Sequence, residues 1–213
     1  MIRHNLRELR ELCTYRIAGI GAEGGTLTGL VFDAADRHLR SFVIEHNMPL
    51  RKLVEIPASF FSSLDDDRRE LQFRIEAGLL QSAEEYQSST PSERNQFDAV
   101  ALIGRTINGR DGTAGQISDM LLNVEFWLLR YFVIDMPDRR VLTDIEWASS
   151  LTEGQSSLHL DLPARAIVTA PAYEGLSELR QGDEEELYRH YTRATFASSS
   201  AVIRATSTDQ EIS

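Results

Sequence analysis

The amino-acid sequence predicts a mainly β protein: two small antiparallel β-barrels in tandem, with short helical turns and one C-terminal helix. Three observations predict it. The chain matches itself at a shift of 90 residues, and a fixed internal period is a sign of repeated structural units. Each matched half divides into short strands with turn residues between them, spaced by about 8–12 residues, as in small sandwiches and barrels. Apolar residues make up 42% of the chain, enough for a packed core and too many for global disorder.

The repeat is read directly from the residues. Gly25-Thr-Leu-Thr-Gly-Leu-Val-Phe-Asp33 lies over Gly115-Gln-Ile-Ser-Asp-Met-Leu-Leu-Asn123, and Leu39–Glu45 lies over Leu129–Asp135. Upstream, Leu12, Ile17 and Gly19 meet Leu102, Ile107 and Gly109. The shift then becomes 87 residues: Phe60 meets Trp147, and Leu71, Phe73 and Ile75 meet Leu158, Leu160 and Leu162. The change falls between His46–Pro49 and Met136–Asp138, turn-like stretches where a length change costs little. The expected organisation is therefore one unit over residues 1–87, a linker over 88–96, a second unit over 97–175, and a helix and mobile tail over 176–213. The linker Gln87–Gln96 has no apolar residue but Pro91.

The elements of the second unit follow in order. Phe97–Ile103 is an apolar lead-in. Asn108-Gly109 and Asp111-Gly112 are tight-turn pairs that supply positive φ. Gly115–Asn123 reads as a strand, and Leu128–Asp135, rich in aromatic and β-branched residues, as another. Pro137-Asp138 turns the chain into a third strand, Arg139–Ile145, followed by a short element, Trp147–Leu151. Ser156–Leu162 alternates Leu158, Leu160 and Leu162 inward with Ser157, His159 and Asp161 outward, a period-2 strand. Pro163–Ile167 reads as a single helical turn with proline at its start. Closing such short strands into barrels removes exposed edges. After the repeats, Asp183-Glu-Glu-Glu186 has the spacing of a capping box. It opens an amphipathic helix from Asp183 to about Thr195, with Leu187, Tyr188 and Tyr191 on one side. A helix of that length needs a surface to dock on. Ala197–Ser213 is Ser/Thr-rich and expected to be mobile.

Charge and composition exclude several functions. There are 33 acidic and 22 basic residues, a net charge of -11, and the excess runs through all three parts of the chain. Polyphosphate is repelled by such a surface, so nucleic acid is not an expected partner. Cys13 is the only cysteine, so no intrachain disulfide and no thiolate metal centre is built. Met1–Cys13 is polar and lacks the apolar run of a signal peptide, and no stretch has the ~20 apolar residues of a membrane span. A cytoplasmic location is expected.

Leu102-Ile-Gly-Arg-Thr, Asp111–Asn123, Trp127-Leu-Leu-Arg-Tyr-Phe-Val-Ile134 and Ala170-Pro-Ala-Tyr-Glu174 together resemble the opening, central strand and close of a PRC-barrel domain. That family includes the cytoplasmic part of the photosynthetic reaction-centre H subunit and the C-terminal module of a ribosomal-RNA maturation factor. The resemblance covers residues ~98–174 well and ~8–86 more loosely. It implies PRC-type barrels and a non-enzymatic interaction module. The first copy departs from the pattern: Gly29 stands where Asp119 stands, Ala34–His38 replaces Val124–Leu128 with loss of the aromatic pair, and Glu84-Glu85 replaces Pro171-Ala172.

No catalytic, cofactor or metal residues are expected. His4, His38, His46, His159 and His190 lie at no metal-binding spacing. Asp65-Asp66-Asp67 reads as a hairpin turn held by local backbone bonds. Gly19–Gly25 follows no buried parallel strand and opens no helix, so a dinucleotide loop is rejected. The serines lie in no nucleophile-elbow context, and Cys13 aligns with apolar Ile103, as a buried small hydrophobe. Core or inter-barrel packing accounts for most of the aromatic group Phe126, Trp127, Tyr131, Phe132 and Trp147. The candidate interaction surface is Phe126, Trp127, Leu187, Tyr188 and Tyr191.

The expected function is a non-catalytic protein–protein interaction or scaffold module, with membrane-associated partners suggested by the resemblance to the H subunit. The expected partner is a protein, with no nucleic acid and no membrane insertion. Peripheral membrane association is left open, and a homodimer is favoured. The alternative is an assembly factor that binds a basic ribosomal protein, as the maturation-factor barrel does.

Overall fold

A computed structural model of the chain describes residues 5–19, 25–46, 52–75, 95–151, 156–180 and 182–208. The first repeat contains β1 (Leu6–Glu8), α1 (Leu9–Leu12), β2 (Arg16–Ala18), β3 (Gly25–Asp33), β4 (Leu39–His46), β5 (Lys52–Pro57), β6 (Phe61–Asp65) and β7 (Glu70–Phe73). The second contains β8 (Gln96–Asp98), β9 (Thr106–Gly109), β10 (Gly112–Asn123), β11 (Leu128–Asp135), β12 (Arg140–Asp144), β13 (Ser157–His159) and α2 (Ala164–Val168). Helix α3 (Asp183–Thr208) follows. Short 3-10 turns occupy Ala58–Phe60, Val100–Leu102 and Ile145–Trp147.

The protein is mainly β, with two mixed sheets. The first has the order β5-β4-β3-β2-β7-β6, and the second the order β12-β11-β10-β9-β13. Two features differ from closed antiparallel barrels. The pairs β2–β7 and β9–β13 are parallel. Hairpin turns fix antiparallel neighbours locally, but they leave open the direction of a strand that returns from farther along the chain. The sheets also do not close. In the second, the two ends meet at one isolated bridge, Ala148↔Leu160. In the first, β5 and β6 are joined through the 3-10 turn Ala58–Phe60 without pairing.

The longest hairpins, β3–β4 and β10–β11, are built alike. Asn123 Oδ1 accepts from the amides of Glu125 (3.0 Å) and Phe126 (3.1 Å). Asp33 Oδ1 accepts from those of Ala35 (2.8 Å) and Asp36 (3.4 Å). Each tip ends in a residue at positive φ, Arg37 at 62° and Trp127 at 50°, as in hairpin loops that close on a left-handed residue. The Asn108-Gly109 pair, expected as a tight turn, instead ends strand β9. Its glycine is required by close approach: a Cβ on Gly109 would run into the Ala164 backbone.

The two repeats exchange strands. The lead-in strand of each joins the sheet of the other. β1 pairs with the end of β10, Leu6 opposite Asn123 and Glu8 opposite Leu121. β8 pairs with the end of β3, Gln96 opposite Asp33 and Asp98 opposite Val31. These are the same contacts 90 residues apart with the roles exchanged. The Val124 amide donates to the Asn5 carbonyl (2.7 Å), and that of Ala34 to the Asn95 carbonyl (2.8 Å). At the hairpin tips His38 bridges Leu128, its own counterpart. Leu39 N donates to Trp127 O (2.9 Å) and Leu129 N to Arg37 O (3.1 Å). Such reciprocity means the repeats are related by an approximate twofold axis, as in an isologous dimer. The cause lies in strand length. β3 and β10 run on past the short strands β2 and β9, leaving bare edges whose amides and carbonyls need partners. The unit boundaries at 1–87 and 97–175 therefore do not delimit independent sheets. One continuous core runs through both.

Most of the linker Gln87–Gln96 lies outside the described residues, as do most of Gly19–Gly25 and Thr152–Gln155. Asn95 and Gln96, which the sequence places in the linker, lead into and begin β8. Helix α3 is longer than expected. It continues through 197–208, where the sequence predicts a mobile tail. The expected capping box is also absent. Asp183 is already helical, and its carboxylate accepts from the Arg180 amide (2.6 Å) upstream.

Candidate functional site

The candidate surface residues separate into two classes. Phe126 is 61% exposed and Tyr188 is 71% exposed. Trp127, Leu187 and Tyr191 face inward. Period-2 and helical spacing place residues on a face, but not what that face meets. Trp127 turns away from its own sheet and packs edge-on against Phe42 (5.1 Å) and Phe61 (4.8 Å) of the first. It is a plug between the units. Leu187 and Tyr191 are buried where α3 docks on the second sheet within the same chain. The Tyr191 hydroxyl donates to the Leu142 carbonyl (2.8 Å) and bonds the Thr143 hydroxyl (2.9 Å).

A cleft of about 320 Å³ lies between the first turns of α3 and the sheet. Trp147 lines it, Tyr188 and Tyr131 flank it, and Arg130, Asp144, Glu146 and Glu184 supply its charge. The Tyr131 hydroxyl donates to Glu184 (2.7 Å). Burial and then that carboxylate push its pKa well above the ordinary phenol value. Burial, with the neighbouring Glu146 charge, also holds the Asp144 carboxyl above its usual range, against the stabilising Glu146 amide. Burial works against the Arg130 charge. The Tyr131 hydroxyl and the carboxylates of Asp144 and Glu184 outweigh it, so its pKa is raised. Arg37 reaches Glu146 at 3.2 Å and ties the first hairpin tip to the rim. Three carboxylates against the half-buried Arg130 guanidinium, with Arg37 at the rim, make this an acidic, aromatic-walled notch. The pairing of β11 with β12 sets Tyr131 opposite Asp144 and so brings Arg130 and Asp144 together, and α3 folding back over these strands adds Glu184. Of this set the sequence singled out only Trp147, Tyr188 and Tyr131, by their aromatic character.

The other sequence features have structural roles. Asp66 sits in the β6–β7 turn, as the turn reading expects. It accepts from the Tyr15 hydroxyl (2.8 Å) and the Arg7 guanidinium, and the Arg7 bond holds its carboxyl below the usual range. The Cys13 thiol packs half-buried against the core, and burial pushes its pKa up to about 12. His159 is exposed, and His190 Nε2 bonds the Ala166 carbonyl (2.7 Å). Among the described residues no group of three His, Cys, Asp or Glu is placed to hold a metal. No helix among them is long and apolar enough to cross a membrane.

No model of a known protein family matches the chain, and no curated protein matches it.

Proposed function

We propose that this protein is a non-catalytic interaction or scaffold module built on two PRC-barrel-like units, and that it recognises another protein. The observation that carries the reading is the pair of exposed aromatics on fixed supports. Phe126 stands on a hairpin tip locked by Asn123 and by the Trp127 plug. Tyr188 stands on a helix pinned by Leu187 and Tyr191. Exposed aromatics on rigid elements make good binding anchors, because little conformational entropy is lost when they are covered. Membrane-associated partners remain part of the proposal through the PRC-barrel likeness alone.

The test is affinity capture with crosslink mapping on the full chain. Crosslinks should cluster at the β10–β11 tip and the first turns of α3. Phe126→Ser and Tyr188→Ser should each weaken capture, without loss of thermal stability. Crosslinks that avoid both places sink the proposal.

The acidic rim of the notch favours a second reading, an assembly factor that binds a basic ribosomal protein. Like-charge exclusion and opposite-charge steering set which partners approach such a surface. Co-sedimentation with ribosomes at low salt, lost on raising the salt, supports that reading. No association at low salt removes it.

A further inference from the structure

Two carboxylates, Asp119 buried and Asp98 half-buried, occupy the same place in the two sheets but arise from different parts of the chain. In the second sheet, Asp119 of β10 accepts from the amides of Met120 (2.8 Å) and Arg10 (3.1 Å). In the first sheet the equivalent amides are those of Leu30 and Val100, 90 residues removed in each case. They donate to Asp98 (3.0 Å each), which is carried by the exchanged strand β8. The residue of the first sheet equivalent to Asp119 is Gly29, and a Cβ there would run into the Asp98 carboxylate. The residue of the second repeat's lead-in, Asp98, has Glu8 as its equivalent. Glu8 has one more methylene and reaches past Asp119 to accept from the Tyr173 hydroxyl (2.9 Å). Each slot thus holds one carboxylate, from the sheet in one case and from the visiting strand in the other.

We infer that Gly29 with Asp98, and Asp119 with Glu8, form a pairing code that makes each repeat complete the other and disfavours a repeat completing a copy of itself. This goes beyond the proposed function and does not depend on it. The consequences follow from moving either lead-in to the wrong sheet. β8 laid on the β10 of a second copy brings Asp98 and Asp119 into one buried slot, with steric overlap and like-charge repulsion. β1 laid on the β3 of a second copy brings Glu8 over Gly29. The amides of Leu30 and of Arg10, the latter in the first helical turn, then lack the short carboxylate that caps them. Only the crossed arrangement fills both slots once. Exposed edges and intertwined lead-ins invite swapped oligomers, and the code acts against the self-pairing versions of them. Specificity of this kind rests on clashes and unmet polar groups in the wrong complex as much as on contacts in the right one.

The test uses the full chain. Asp98→Ala empties the slot in the first sheet, and Gly29→Asp crowds it. The backbone of Gly29 is not left-handed, and Val43 opposite it matches the Val133 opposite Asp119, so an aspartate is accommodated once Asp98 is gone and Val43, 3.0 Å from the added Cβ, gives by a few tenths of an ångström. Each single variant should lower the melting temperature. The double variant G29D/D98A should melt above both, because the carboxylate is restored from the sheet side. A double variant that melts at or below the less stable single variant overturns the inference. If Gly29→Asp alone is insoluble, soluble recovery of the double variant reads the same rescue, and its failure the same refutation. Stability rescue reports the shared slot, whereas specificity needs a second readout. In G29D/D98A both sheets carry their own carboxylate and either lead-in is accepted by either sheet. Refolded at high protein concentration, it should give a larger fraction of self-associated chains by light scattering than the wild type refolded alongside. An equal fraction overturns the pairing code.

Discussion

Asp119 sits at 8% exposure with two amides on one oxygen. Burial, with Glu8 nearby, raises its pKa against the pull of those amides. The folded chain therefore keeps the proton to a higher pH than the unfolded chain. Stability falls as pH rises from the usual carboxylate value of 3.8 through the raised folded value, since the unfolded state ionises first. Asp119→Asn keeps an acceptor and removes the charge, so its stability should lack that fall when urea midpoints are compared between pH 3 and pH 7. Asp119→Ala leaves the amides of Met120 and Arg10 without their acceptor and should cost about 1–3 kcal/mol at pH 7. Equal losses for Asn and Ala would mean that neither the volume of the side chain nor a neutral acceptor holds the slot, and that the amides of Met120 and Arg10 need the charged carboxylate. Cys13 follows the same logic at higher pH. With its thiol pushed up to about 12 from 9.0, it stays protonated near neutrality, and the thiolate is the reactive form. A thiol reagent at pH 8 should label the native chain far more slowly than the urea-unfolded chain. Neither the Asp119 slot nor its relation to Asp98 was legible in the sequence. The mismatch of Gly29 with Asp119 reads as divergence until β8 is seen to carry the compensating residue, 69 positions away.

At the scale of elements, β10 and β11 fall close to where alternation and turn residues place them. Hairpins announce themselves because neighbouring residues make the turn and the strands share one register. Helix α3 was legible by its first turn of four acidic residues and by the side holding Leu187 and Tyr191, since both follow from local spacing and the helix dipole. Where it docks was not legible, because spacing marks an apolar stripe without naming the surface that covers it. Its anchor is Tyr191, 2% exposed, bonded to Leu142 and Thr143 across β12. Tyr191→Phe should cost about 1–2 kcal/mol through the lost hydroxyl bonds, and Tyr191→Ala about 3 kcal/mol or more through the added cavity. Differential scanning calorimetry checks both. Limited proteolysis adds the element-level readout: cleavage within α3 should quicken for the alanine variant. An unchanged cleavage pattern would mean that the helix is held by something other than this anchor. The Trp127 plug acts on the opposite unit. Trp127→Ala removes ring contacts to Phe42 and Phe61 and should therefore loosen β4 and β6, read as faster amide exchange there, more than its own strand β11.

For the whole molecule, the duplication was legible because a long register survives in the sequence, and the crossing of the lead-ins was not. A three-residue strand has the same apolar alternation whether it pairs with its own sheet or with a neighbour's, so pattern alone does not choose. What chooses is the overhang of β3 and β10 beyond β2 and β9, together with the carboxylate slots, and both are properties of the assembled pair. The consequence is that the chain should behave as a fused dimer. A protease site placed within residues 88–96 cuts the covalent tie but leaves each half holding a strand of the other's sheet. The cut chain should elute at the volume of the intact one and part only in denaturant. Before cutting, the two halves are held at a high effective concentration by the linker, so the urea midpoint should not depend on protein concentration. After cutting, folding and association become one reaction, and the midpoint should rise with protein concentration by mass action. Two halves that separate under native conditions, each keeping its own melting transition, would show that each sheet folds without the borrowed strand. The crossed β1–β10 and β3–β8 pairs would then be ornaments on two independent domains rather than the interaction that makes them one.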